Sequence, residues 1–165
     1  MLLLLSVVIQ CAFGNFPFAF FAFPLDALIA LLWIAGMVYA YKENRSSRFV
    51  QMWLSPQCTY WTLGWLIAGS LVIGLFPQLS AAEAAERSGL LARLGCYHFT
   101  TSWIFVVGLF ALLTHLGMIT LRRGFRPGHN RWRFVLNHAG LWLALFAGVV
   151  GSAEEQTLRI PVFRD

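Results

Sequence analysis

Four histidines carry most of the chemistry this sequence could perform, and two of them stand in oily runs. His115 lies seven residues before Arg122, and His138 lies five residues after Arg133. If both runs are helical, a rise of about 1.5 Å per residue sets the imidazoles about 10 Å and about 7–8 Å beneath those arginines. Two antiparallel helices joined by one short connection then hold the rings at matched depth. Paired neutral imidazoles in apolar surroundings can serve as axial ligands to a low-spin b-type haem iron. Arg122, Arg123, Arg126, Arg131 and Arg133 could neutralise its propionates, turning the haem edge toward the arginine side. A plainer reading stays open. A histidine inside a membrane can hydrogen-bond a hydroxyl or carbonyl of a neighbouring helix and contribute about a kcal/mol or less.

The remaining histidines suit other surroundings. His129, within Arg126-Pro-Gly-His-Asn-Arg131, fits a solvated or headgroup-facing position, and His98, beside Tyr97, fits an interface where its imidazole reaches water, with a ligand or portal role as the alternative. The cysteines Cys11, Cys58 and Cys96 show no paired spacing, no Cys-x-x-Cys-His motif and no zinc pattern.

The elements that position these residues follow from composition. Of the 165 residues, 59% are hydrophobic and only 12% charged, with a mean hydropathy of +0.69, whereas soluble chains carry about a quarter charged residues. Aromatics at 16% exclude disorder as well. The expected fold class is therefore an all-α integral membrane bundle with short loops. Tested against the roughly 20 residues a crossing helix needs, the apolar runs are 1–23, 24–41, 60–76, 98–121 and 134–151. Five spans are predicted, or four if the first, broken near Gly14, does not cross. It has no basic n-region, which argues against a cleavable signal peptide. The transmembrane domain would cover 1–152.

Charge sets the path. Residues 42–53 and 122–133 hold eight of the twelve cations against one acid, Glu43. Short basic loops between apolar spans are topology signals, not a nucleic-acid footprint, and put both on the cytoplasmic side with 78–97 and the C-terminus outside. The run from Ser80 to Arg87 predicts a short surface helix. Trp53, Trp61, Trp65 and Trp132 read as an interfacial aromatic belt. Gly140, Ala144 and Gly148 form a small-residue ridge suited to close helix packing, with His138 about 160° away from Gly140 around the helix. Gly108 and Ala111 share a stripe with His115 and leave room beside its ring.

Around the last span, Leu136-Asn-His-Ala-Gly-Leu-Trp-Leu-Ala-Leu145 and Gly151-Ser-Ala-Glu-Glu-Gln-Thr-Leu-Arg-Ile160 resemble the ResB/CcsB family of cytochrome c biogenesis proteins. The nearest form is the one fused ahead of CcsA as a single cytochrome c synthase. Phe20-Phe-Ala-Phe-Pro24 and Thr101-Ser-Trp-Ile-Phe105 resemble it too. The resemblance implies a bacterial inner-membrane protein of system II that helps carry haem b, transiently bound, from the cytoplasm to the outer face. There it is joined to apocytochrome c. The resemblance also implies a CcsA-like partner subunit and haem ligation by His138. It implies that 153–165 open a β-rich extracytoplasmic domain. Neither that domain nor a CcsA portion follows within these residues, so the expectation is a fragment, a split subunit or a divergent relative, not catalytic alone. Two other functions remain: a b-type haem anchor exchanging electrons with quinol, for which Asp26 is the one candidate acid, or a cofactor-free structural subunit.

Overall fold

The computed structural model describes residues 2–125 and 131–151. The basic loop containing Arg126 and His129, and the C-terminal residues from 152 onward, lie outside the described residues, as does the predicted β-rich segment. Eight α-helices run in chain order: α1 (Leu2–Phe13), α2 (Leu25–Glu43), α3 (Arg48–Trp53), α4 (Pro56–Leu75), α5 (Ala81–Ala85), α6 (Leu90–Arg93), α7 (Trp103–Gly124) and α8 (Arg131–Gly151). Two 3-10 segments, Phe18–Phe21 and Cys96–Thr101, complete the set, and no strand occurs among the described residues.

Three helices, α2, α4 and α7, are long and apolar enough to cross a membrane. The all-helical membrane class holds; the predicted count of five is not reached by length and hydropathy among the described residues. The run 1–23 ends as a helix at Phe13, just before Gly14 adopts φ +74°. Twelve residues reach only about 18 Å, short of the roughly 30 Å hydrocarbon core. α8, of 21 residues, carries Arg131, Arg133, Asn137 and His138 in its first turns, and from Phe134 onward it holds no charged residue.

Helix ends follow local chemistry. Ser55 caps α4, its hydroxyl accepting the Cys58 N–H, with Pro56 at the first helical position where a missing N–H costs nothing. Ser102 caps α7 through the Phe105 N–H. α5 begins with a reciprocal capping box: the Ser80 hydroxyl accepts the Glu83 N–H, and the Glu83 carboxylate accepts the Ser80 N–H at 3.0 Å. These bonds hold the Glu83 carboxyl below its usual range. With a folded value lower than the unfolded one, the carboxylate's stabilisation is fully present above about pH 4.3 and is lost as pH falls through the folded value. Amide protection over 81–86, taken relative to the intrinsic exchange rate at each pH, should therefore fall below about pH 4 in the wild type. In Ser80→Ala it should already be low at about pH 7; equal protection in the two proteins would remove the capping box from the account.

α7 is the central helix and packs against α1, α2, α4 and α8. Of its most apolar window 44% is buried, against 11% for α2 and for α4, whose other faces are left for lipid. Leu28, Leu31, Leu32, Ile67 and Leu71 are exposed there, a surface water would not tolerate. The core gathers Met37 and Tyr41 of α2, Val50, Trp53 and Leu54 from α3 and its end, Leu112, Leu113 and Leu116 of α7, and Trp142 of α8. The two basic segments meet at one end of the bundle: Tyr41 stacks on Phe125 at 5.7 Å, with Lys42 also over that ring.

Two packing expectations are corrected. Gly140 and Gly148 meet nothing within 4 Å, so the ridge on α8 is open and α8 joins α7 through Trp142, whose indole N–H donates to the Leu113 carbonyl. The space expected beside Gly108 is filled by the Trp65 indole. Trp53 is also core rather than belt, whereas Trp61 and Trp132 are exposed.

Candidate functional site

His115 is buried, at 3% exposure, between α7, α3 and α4. Its Nδ1–H donates to the Trp53 carbonyl at 2.7 Å. A carbonyl only accepts, which fixes the proton on Nδ1 and leaves Nε2 to accept from the Thr59 hydroxyl at 2.9 Å. Two turns further along the same face, the Arg122 guanidinium donates to the Leu54 carbonyl at 3.0 Å. Trp53 ends α3 and Leu54 caps it. A helix end leaves its last carbonyls without intrahelical partners, and a cation there also meets the favourable end of the dipole. α7 thus supplies, from His115 and Arg122, the donors that finish α3.

Both ring nitrogens of His115 are engaged, and its Nε2 lone pair is taken up by the Thr59 hydroxyl. His115 is thus turned to α3 and α4, whereas His138 bonds within α8. Arg122 spends one of its five N–H donors on Leu54. Arg123 is exposed and lies over the Phe134 ring at 5.9 Å, and Arg133 is exposed on α8. The side chain of Arg131 lies outside the described residues.

His138 differs. Its Nδ1 donates to the carbonyl of Phe134 one turn back at 2.9 Å, and its ring stacks on Phe134 at 3.7 Å. Nε2 has no hydrogen-bond partner among the described residues, and the residue is half-buried. Anchoring Nδ1–H on a carbonyl sets the tautomer that presents the Nε2 lone pair, the arrangement that orients metal-bound imidazoles. The His138 Nε2 lone pair is therefore open to a ligand, while that of His115 is held by Thr59. Beside it, α2, α7 and α8 enclose an apolar groove of about 280 Å³ lined by Met37, Gly117, Ala139 and Trp142. That lies below the range of about 300–1,000 Å³ that encloses drug-sized ligands, and neither imidazole lines it. Among the described residues no three histidine, cysteine or acidic side chains gather to hold a metal ion.

His98 lies at the opposite end, its Nδ1 donating to the Leu79 carbonyl at 2.8 Å. Asp26, the candidate quinol-site acid, has one carboxyl oxygen buried without a partner. The role of Thr59 and the Trp53 carbonyl was invisible beforehand, because the six-residue α3 is too short to announce itself by periodicity. The Ser47 and Ser55 caps on either side of it were the available signal. No family model, curated protein or solved structure matches this chain.

Proposed function

We propose that this chain is a haem-handling membrane component of system II cytochrome c maturation, taking haem as cargo through a single axial ligand, His138. The second ligand comes from a CcsA-like partner subunit, and the product of the assembly is haem attached to apocytochrome c at the outer face of a bacterial inner membrane. In this reading α8 is a fourth crossing and α1 a half-span packed on α7. The segments 42–53 and 122–133 face the cytoplasm, and Arg123, Arg131 and Arg133 attract the propionates. The observation that supports it is the His138 ring: tautomer set by Phe134, Nε2 unpartnered, one helix start away from the cationic end.

Haem titration of the purified chain tests this. A Soret band should form with the wild type, and His138→Ala should bind haem about tenfold more weakly, with added imidazole restoring it. His115→Ala should keep wild-type haem affinity. Undiminished binding by His138→Ala would overturn the assignment. In cells, loss of every c-type cytochrome supports the maturation role, whereas loss of one respiratory activity points to the quinol-linked anchor. The open Gly140/Gly148 face favours one second reading, a cofactor-free subunit that holds another membrane chain; it predicts no Soret band in any variant.

A further inference from the structure

We propose that the polar cavity at the end of the bundle opposite the basic segments binds a phosphate group, through Arg87 and Arg93. The cavity, of about 390 Å³, opens between the end of α1, the α5 and α6 region and the segment Cys96–Thr101. Arg87, Arg93, Tyr97 and His98 line it together with Gln10 and Asn15. Among the described residues no acidic side chain is on its wall. The Glu83 carboxylate is turned into its own cap with Ser80, and the charge of Arg87 is the smallest of the influences on it. Among the described residues neither guanidinium forms an ion pair, and Arg87 rests over the Tyr97 ring at 5.8 Å. Two unneutralised guanidiniums on one concave wall suit an oxyanion, which each can engage through two parallel N–H bonds.

The floor beneath them is rigid. Gln10 is 2% exposed, its Oε1 accepting the Trp103 N–H at 2.8 Å and its Nε2 donating to Asn15 at 3.0 Å. Gly95, at φ +74°, passes so close that a Cβ there would press on Gln10 and Ser102 at 3.0 Å. His98 is fixed through Nδ1 on Leu79, which leaves Nε2 as a further polar group. A preformed wall spares a ligand the cost of ordering it. The position, past the ends of helices that can cross the membrane, suits a lipid headgroup phosphate as well as a free one.

Two arms separate these sources. Native mass spectrometry of the full chain, after exposure to equal phosphatidylglycerol and phosphatidylcholine, should show about tenfold preferential retention of the anionic lipid. That preference should vanish in R87Q/R93Q and persist in R45Q/R48Q, which removes the same charge at the other end. Inorganic phosphate is then titrated into the chain in phosphatidylcholine nanodiscs. Saturation that R87Q/R93Q abolishes, without a lipid preference, assigns the site to a free phosphate. Both arginines are exposed, so the fold should survive, with an unchanged unfolding midpoint as the check. The proposal is overturned if R87Q/R93Q matches the wild type in both arms, or if R45Q/R48Q removes the lipid preference equally.

Discussion

His115→Ala should lower the unfolding free energy of the detergent-solubilised chain by about 2–3 kcal/mol, read from the tryptophan fluorescence of a denaturant titration. Hydrogen bonds between membrane helices average only about 0.6 kcal/mol, so the two bonds to Trp53 and Thr59 do not account for the whole loss. The larger share comes from what alanine leaves behind. The Trp53 carbonyl at the end of α3 becomes a desolvated acceptor, and a ring-sized void opens at a site 3% exposed. A buried unpaired polar group costs about 1–3 kcal/mol by itself. Thr59→Val keeps the Nδ1 bond and should lose less than about 1 kcal/mol. The ordering of these variants matters more than either value. If His115→Ala unfolds like the wild type yet loses haem, the residue is a ligand after all and its present bonds are a resting position.

The sequence analysis and the structure agree where free energy is decided locally or by bulk composition. Basic residues gather at one end because no charge tolerates the hydrocarbon, and Tyr41, Lys42 and Phe125 do meet there. The helix predicted after Ser80 exists, whereas α4 begins at Pro56, four residues before the apolar run at 60–76, because Ser55 caps it there. What escaped depends on which faces turn together. His115 and His138 were expected to converge because their depths match, but depth is one coordinate and azimuth another. α3 folds back into the bundle and claims His115 with its last carbonyl, while His138 keeps to its own helix. Of the two rings, that of His138 keeps a nitrogen without a hydrogen-bond partner among the described residues. Azimuth also decides the glycines: the repeated ridge on α8 is open among the described residues, and the closest approaches fall on α7, at Gly117 and most tightly at Gly108.

That glycine carries the second large effect. At Gly108 an added Cβ would overlap the Trp65 indole, whose ring atoms Cδ2, Cε2 and Cζ2 lie flat against the backbone. The indole cannot yield as a flexible chain end would, since rings of Phe105 and the α4 backbone hold it; Trp65 and Phe105 are 5.8 Å apart. Gly108→Ala should therefore destabilise by about 2–3 kcal/mol, the upper part of the range for overpacking. Helix propensity runs the other way, favouring alanine by about 0.5–1 kcal/mol, so steric overlap has to win for any loss to appear. Gly140→Ala isolates the propensity term, because nothing lies within 4 Å of that position, and should be neutral or slightly stabilising. In a Trp65→Ala background the overlap is gone, and Gly108→Ala should then cost nothing or add about 1 kcal/mol of stability. A sign change between the two backgrounds is the signature of α4 and α7 meeting through this indole. Equal effects of Gly108→Ala with and without Trp65 would mean that the two helices approach by some other face.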